Sequence, residues 1–242
     1  NTYNTAVGFQ AGAAVTTGIQ NTLVGGLAGT SLTDADENVA VGIGALDADT
    51  LGSKSVAIGA SALSEQNFTT ATDTYNVGVG YFAGRNVTTG TQNTIVGGLA
   101  GDALTVGFQN VAIGVDALSS DTAGNKSVAI GRSSLATQNF TSDTDGLNTA
   151  VGYFSGAAIT TGIYNTLIGS LAGDALSDAD YNVAVGYGAL SADTLGSRST
   201  ALGYNALGSQ NFTTATDAYN VAVGFGAAGN ITTGTQNTIV GG

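Results

Sequence analysis

The segment Asn21-Thr22-Leu23-Val24-Gly25 is one of 14 copies of a short motif that sets the fold of this chain. Each copy reads Asn or Ser, then Thr or Val, then a small or apolar residue, then Val, Ile or Leu, and finally Gly. Successive copies start 17, 17, 17 and then 21 residues apart, and this series of four spacings recurs. Four copies therefore form a 72-residue block. The motifs start at Asn4, Asn21, Asn38, Ser55, Asn76, Asn93, Asn110, Ser127, Asn148, Asn165, Asn182, Ser199, Asn220 and Asn237.

This period predicts the fold class. Seventeen residues suit one coil of a β-solenoid, with two short strands and two turns, and are too few for a helix pair or a propeller blade. The glycine density and the lack of a helical apolar pattern disfavour helix. We therefore predict an all-β fold, a parallel β-roll of 17- and 21-residue coils in a 72-residue four-coil super-repeat. It forms a single repetitive segment, a fragment of a longer fibre, with blocks 4–75, 76–147, 148–219 and, in part, 220–242.

The apolar positions of each coil, counted from the Asn or Ser as position 1, predict where side chains point. Position 4 is always Val, Ile or Leu and shares a strand face with position 2, because side chains alternate along a strand. Position 3 lies on the other face, is never charged, and is bulky once per block at Leu23, Ile95, Leu167 and Ile239. A strand that is apolar on both faces is buried on both. Because a thin roll covers one face only, we expect position 3 to meet a second copy of the chain.

Each coil is also expected to hold one bulky aliphatic plug. Coils one and two of each complete block have Gly at position 9 and an aliphatic residue at position 12, as in Gly29 and Leu32. Coils three and four have Leu at position 9 and a polar residue at position 12, as in Leu46 and Asp49. This exchange conserves interior volume, as close packing requires.

The composition excludes several classes of function. The chain contains no Cys, His, Met, Trp or Pro, so no thiolate nucleophile, disulfide, Cys/His zinc site or Ser-His-Asp triad can form. Five basic residues against 17 acidic ones give a net charge of −12, which argues against a nucleic-acid partner. The sequence has no apolar run long enough to span a bilayer, so we expect no membrane contact in this segment. We predict no catalytic residue, no cofactor and no metal site, and therefore no enzyme.

Two versions of the motif resemble known repeats. Ser55-Val56-Ala57-Ile58-Gly59 and Ser127-Val128-Ala129-Ile130-Gly131 are similar to the head repeat of trimeric autotransporter adhesins. Asn148-Thr149-Ala150-Val151-Gly152-Tyr153 resembles a related repeat of phage tail fibres and large bacterial surface proteins. The resemblance covers all 14 coils, although these coils are longer than the usual adhesin head repeat. It implies a left-handed roll, a homotrimer of chains side by side, and a location that is extracellular, on a cell surface or on a virion.

The four extra residues of each 21-residue coil predict a loop that bulges from the rod. Its aromatic ring could stack on a sugar while the neighbouring amide and hydroxyl groups form hydrogen bonds with it. The alternative, which we favour, is that the ring folds back over its coil or packs on a neighbouring chain. The candidate receptor-contact residues are Asn67, Phe68, Thr69, Asn139, Phe140, Thr141, Asn211, Phe212 and Thr213.

Charged residues recur with the block as well. Asp49 and Lys54 lie close together in one turn region and have equivalents in the next two blocks, which predicts an exposed ion pair at a corner. The acidic turn Asp34-Ala35-Asp36-Glu37 offers oxygens of the kind that Ca²⁺ binds. Block two has Val106-Gly107-Phe108-Gln109 at the corresponding turn, which favours solvated acidic turns instead.

These observations predict a structural and adhesive rod segment of an extracellular fibre. Coils about 4.8 Å apart would present the repeated loops at regular intervals, so that many weak contacts to a surface glycan or receptor act together. Two alternatives stay open. One is a polysaccharide depolymerase of a viral spike with paired carboxylates, for which Asp116 is the main acid without a counterpart one block away. The other is an ice-binding surface protein that uses rows of threonine such as Thr16-Thr17.

Overall fold

A computed structural model describes residues 2–242, and within that range it contains strands and turns but no helix. In chain order the strands are β1 (Thr5–Val7), β2 (Thr22–Val24), β3 (Val39–Val41), β4 (Gly52–Ser53), β5 (Val56–Ile58), β6 (Thr72–Asp73), β7 (Val77–Val79), β8 (Thr94–Val96), β9 (Val111–Ile113), β10 (Gly124–Asn125), β11 (Val128–Ile130), β12 (Thr144–Asp145), β13 (Thr149–Val151), β14 (Thr166–Ile168), β15 (Val183–Val185), β16 (Gly196–Ser197), β17 (Thr200–Leu202), β18 (Thr216–Asp217), β19 (Val221–Val223) and β20 (Thr238–Val240).

Fourteen of these strands form one parallel sheet, a single strand from each coil. Each strand occupies positions 2–4 of the motif and pairs with the same positions of the next coil, as Thr5 pairs with Thr22 and Val128 with Thr149. The second pairing spans a 21-residue coil, so the extra residues leave the register of the sheet unchanged. The predicted all-β parallel β-solenoid with this coil spacing is confirmed.

The second side of the rod differs from the expected second strand. Most of it consists of turns that stack on each other through backbone hydrogen bonds, such as Gly12 N–H to the Ala28 carbonyl at 3.0 Å. In the described part of the chain, paired strands occur there only beside the 21-residue coils, as the three two-residue ladders β4–β6, β10–β12 and β16–β18. Because the same turn recurs in each coil, backbone N–H and carbonyl groups of one turn can pair with those of the next. This pairing does not require an extended backbone.

The interior lies behind position 3 of the motif, and the expectation that this position meets a partner is wrong. Ala40, Ala112 and Ala184 in the middle of three strands have no exposed surface, whereas positions 2 and 4 beside them remain partly exposed in every coil. Positions 9 and 12 complete the core as predicted, with Leu46 buried at position 9 and Leu32 at position 12.

The bulky residues at position 3 fill space above glycines. A Cβ on Gly84 would lie 2.8 Å from Cδ1 of Ile95, and one on Gly101 would lie 3.2 Å from the same atom. One large side chain in the second coil therefore occupies room over position 9 of two coils. This explains why coils one and two of a block carry Gly there, while coils three and four pair Leu at position 9 with Ala at position 3.

A buried column of asparagine and serine runs along position 1. The backbone N–H of Asn38 donates to Oδ1 of Asn21 at 3.0 Å, and the N–H of Ser55 donates to Oδ1 of Asn38 at 2.8 Å. The Nδ2 of Asn38 also donates across its own coil to the Gly52 carbonyl at 2.9 Å. Each asparagine side chain thus links its coil to the next and closes its own turn, a role that the motif alone does not predict.

The glycine at position 5 is required by a close approach between coils. At Gly114 φ is +131°, and a Cβ would lie 2.6 Å from the carbonyl oxygen of Gly131 in the next coil. Both the positive φ and the missing side chain are needed at this corner. The glycine at position 5 therefore makes the corner that follows the motif strand in each coil.

Candidate functional site

The most extensive candidate site is the outer side of the 14-stranded sheet, which we call the strand face. It consists of positions 2 and 4 of every coil, which alternate with the buried position 3. Every residue of these two columns is Thr, Val, Ile or Leu, so none is charged. Among the large apolar residues of these columns, exposure is greatest at Val240 (76%) and Val7 (58%) in the terminal coils and is still 39% at Ile58.

Two further columns border the strand face. The residue immediately before each motif forms the leading margin, and position 6 forms the trailing margin. All nine tyrosines of the chain lie in these margins, and each is 44–74% exposed. Four of the five cationic residues lie there too, with a single acid, Glu37. The tyrosines are Tyr3, Tyr75, Tyr164, Tyr181 and Tyr219 in the leading margin and Tyr81, Tyr153, Tyr187 and Tyr204 in the trailing margin.

Side chains of the leading margin stack along the rod. The guanidinium carbon of Arg198 lies 4.8 Å from the ring centroid of Tyr181 and 5.9 Å from that of Tyr219, in the coils before and after it. The Nζ of Lys54 lies 5.4 Å from the ring centroid of Tyr75. These cation–π contacts hold long exposed side chains in line with the coils.

The cations of the leading margin pair with acids other than the predicted ones. Lys54 Nζ lies 2.6 Å from Oδ2 of Asp73, and the same pairing recurs in the next two blocks as Lys126 with Asp145 and Arg198 with Asp217. The predicted pair of Lys54 with Asp49 is wrong because the Asp49 side chain points into the core. The Lys54 ammonium lowers the pKa of Asp73 below its usual value, chiefly through the hydrogen bond between them.

Asp49 instead anchors a buried polar network. Its Oδ2 accepts a hydrogen bond from Nε2 of Gln66 at 2.6 Å, and its Oδ1 accepts from the backbone N–H groups of Gly52 and Phe68 at 3.1 and 3.0 Å. The Oε1 of Gln66 accepts from Nδ2 of Asn76 at 2.9 Å. The same network recurs around Asp121, Gln138 and Asn148 and around Asp193, Gln210 and Asn220.

These networks place a carboxyl group in the core without a cation beside it. Burial raises the pKa of Asp121 above its ordinary value, and the hydrogen bond from Gln138 and those from the backbone oppose the rise. Gly124 is needed here, because a Cβ at that position would lie 2.2 Å from Oδ2 of Asp121. The glycine three residues after the aspartate is the sequence signal that could have revealed the inward carboxyl.

The loop aromatics cover these networks. Phe68, Phe140 and Phe212 are 7%, 5% and 6% exposed, so the rings fold back over their coils and offer no free face for stacking on a sugar. Their neighbours Asn67 and Thr69 are exposed, as are the corresponding residues of the next two blocks. The structure thus separates the nine candidate loop residues into three buried rings and six exposed polar residues.

The acidic turns bond to the preceding coil. The Oδ1 of Asp34 accepts from the Thr17 hydroxyl at 2.5 Å, and the Oδ1 of Asp36 accepts from the Ile19 N–H at 2.8 Å. The Thr16 hydroxyl donates to the Thr33 carbonyl at 3.2 Å. The threonine row considered for ice binding therefore also serves the link between coils. Among residues 2–242, no three potential metal-binding side chains come together.

Asp116 lies in a charged cluster on the turn side of block two. Burial raises the pKa of Asp102, the cation of Arg85 opposes the rise, and the carboxylate of Asp116 adds to it. The guanidinium of Arg85 lies 4.8 Å from the ring of Phe82. A separate surface pocket of about 330 Å³ near Asn205 and Asn230 is lined by Ser, Asn and Gly.

No protein-family model, no curated protein and no solved structure matches this chain. Within residues 2–242 the structure also has no helix that is long and apolar enough to cross a membrane. The parallel β-solenoid of 14 coils fits a structural repeat protein.

Proposed function

We propose that this chain is a non-enzymatic rod segment of an extracellular fibre, an adhesin or a tail fibre, and that it assembles as a homotrimer through the strand face. The observation that carries the proposal is the strand face itself, an uncharged apolar surface that runs through all 14 coils of a protein with 17 acidic residues. Large exposed apolar patches are typical of interfaces rather than of the free surface of soluble proteins.

The size of the strand face supports a stable interface. Coils about 4.8 Å apart make it about 60 Å long, and a width of about 20 Å between the two margins follows from about 3.3 Å per residue. The product is about 1,200 Å² per chain. Divided between the two neighbours of a trimer it gives about 600 Å² per contact, which lies at the lower end of the range for stable interfaces.

The composition of the margins also favours a protein partner. Tyrosine and arginine are enriched at the energetically dominant positions of protein interfaces, and charged residues are depleted from interface centres. Here tyrosines and cations flank an uncharged centre. A second copy of the chain matches the repeat of the face along its whole length, and cyclic symmetry closes such contacts into a defined oligomer. Three copies is the number implied by the resemblance to trimeric adhesins.

The proposal is tested by measuring mass in solution with light scattering after size exclusion. The parent protein is expected at about three times the 23.6 kDa mass of the chain. Ile113→Lys with Ile130→Lys places two charges in the centre of the strand face and is expected to yield folded monomers, as judged by circular dichroism. Thr70→Lys, a charge on an exposed loop, is the matched control and should remain trimeric. A parent protein that stays monomeric at high concentration refutes the assembly.

Attachment to a glycan or receptor through the 21-residue coils is the adhesive part of the proposal. It rests on the exposed residues Asn67 and Thr69 and their equivalents, which recur about every 19 Å along the rod. Replacing all three exposed asparagines by alanine should weaken binding to a glycan array or to cells while the buried rings keep the coils folded. Unchanged binding would show that the loops are not the attachment site.

A further inference from the structure

The tyrosines form two adjacent pairs within one chain. In the leading margin the rings of Tyr164 and Tyr181 are stacked, with centroids 5.0 Å apart and planes 5° from parallel. In the trailing margin the rings of Tyr187 and Tyr204 are stacked at 5.5 Å and 12°. Both pairs join equivalent positions of successive coils. The two phenols of each pair therefore lie side by side on the surface.

The other tyrosines have different neighbours along their columns. Tyr75 lies between Lys54 and Gln92, and Tyr219 lies between Arg198 and Gln236. The Tyr204 ring also stacks on Phe225 at 4.8 Å, but a phenyl ring has no hydroxyl group. Five tyrosines thus lack a tyrosine in the adjacent coil of their own column, namely Tyr3, Tyr75, Tyr81, Tyr153 and Tyr219.

The absence of other readily oxidised side chains makes the tyrosine rings the main target of oxidants. The chain has no Cys, Met, Trp or His, so the side chains that usually compete for oxidants are missing. Tyrosine is then the most easily oxidised side chain present, and every tyrosine is at least 44% exposed. An oxidant that removes single electrons will generate its radicals on the two margins of the strand face.

We propose that Tyr164–Tyr181 and Tyr187–Tyr204 are sites of oxidative dityrosine cross-linking by a peroxidase with hydrogen peroxide. Each phenol gives up one electron and its hydroxyl proton, and the two phenoxyl radicals join through ring carbons ortho to the oxygens. The two ortho hydrogens then move to the oxygens and restore both phenols. Two electrons and two protons leave in all, and they reduce one hydrogen peroxide to two waters.

The cross-link covalently joins neighbouring coils. Each cross-link closes a covalent loop about one coil in length. Such a loop reduces the conformational freedom of the unfolded chain and thereby stabilises the folded one. Tyr164 is the last residue of coil 9 and Tyr204 lies in coil 12, so the two cross-links lie one after the other along the rod. The expected effect is a higher melting temperature of the oxidised protein and resistance of these coils to unwinding.

The experiment treats the full chain with a peroxidase and hydrogen peroxide and maps the product by mass spectrometry. Cleavage before aspartate places Tyr164 and the unpaired Tyr153 in peptide 145–173, Tyr181 and Tyr187 in 180–192 and Tyr204 in 193–216. The expected products are 145–173 joined to 180–192 and 180–192 joined to 193–216, each lighter than its two peptides by two hydrogens. A denaturing gel should show the mass of a single chain, because the pairs lie within one chain.

Single phenylalanine variants assign the bonds. Tyr181→Phe keeps a stacking ring but lacks the phenol, and it should abolish the product that contains 145–173 while leaving the Tyr187–Tyr204 product intact. Tyr75→Phe is the matched control and should change neither product. The inference is overturned if the Tyr181→Phe variant still joins 145–173 to 180–192, or if tyrosines without a stacked partner cross-link equally well. A monomeric protein that forms both products would refute the assembly proposal and leave this one standing.

Discussion

Ile95→Ala tests the account of the core most directly, because this side chain fills the space above two glycines. The substitution removes three carbon atoms from a fully buried site, which is worth about 2.4 kcal/mol in transfer free energy at about 0.8 kcal/mol per group. Gly84 and Gly101 have no side chains that could move into the gap, so nearly the whole free-energy cost of an unfilled cavity adds to this figure. We expect the free energy of unfolding to fall by about 3–5 kcal/mol.

The assay is urea unfolding followed by far-ultraviolet circular dichroism, with Ile43→Ala as the control. Ile43 undergoes the same chemical change at a position that is 63% exposed, and its loss should cost less than about 1 kcal/mol. Adding Gly101→Leu to Ile95→Ala should recover part of the loss. Leu118 and Leu135 already hold this coil position at φ of +52° and +49°, close to the +51° of Gly101. Equal costs for the two isoleucines would refute the assignment of position 3 to the interior.

Three further predictions concern the corners and the charges. Gly114→Ala should prevent stacking of its coil, seen as a large loss of melting temperature, because the new Cβ would lie 2.6 Å from the Gly131 carbonyl oxygen; a melting temperature within a few degrees of the parent would contradict this. Burial raises the pKa of Asp121, so the folded state binds the proton more tightly and stability should fall as pH rises from 3.8 through the raised pKa. Asp121→Asn should remove this part of the pH profile of urea unfolding, and an identical profile would be the contrary result. The Lys54 hydrogen bond lowers the pKa of Asp73, so its contribution should be present above pH 3.8 and be lost as pH falls through the lowered pKa; Lys54→Ala should flatten that region and have little effect in high salt.

The sequence was sufficient to predict the repeat period, the coil of the solenoid and the exchange of bulky side chains between positions 9 and 12. It was not sufficient to orient the strand. Both faces of each strand are apolar, so the sequence does not show which face points inward. The Ala residues at position 3 are small enough for a surface, and only the narrow width of the coil shows that they fit its interior. The bulky Ile95 and Leu167 favoured a partner, whereas each lies over two glycines whose empty space is evident only when coils are stacked.

The polar residues at position 12 were misjudged for a related reason. Asp49 and Lys54 are close in the chain and opposite in charge, so an ion pair between them was the simplest expectation. The inward position of Asp49 depends on Gln66 and Phe68 in the next coil, and such contacts join positions at least one full coil apart in the sequence. The nine tyrosines of the margins also went unrecognised, because their common location is evident only when the residue before each motif is aligned with position 6.

Ile95 fills the space above the glycines of two coils, and this contact determines how many coils such a rod can gain or lose at a time. Removing a single coil would leave Gly84 without its filler or set two large side chains into one layer. Removing a whole four-coil block gives each remaining coil a neighbour of the same type as the one it had before. Duplication or loss of coding sequence can therefore adjust the reach of the rod in steps of about 19 Å without altering the chemistry of any joint.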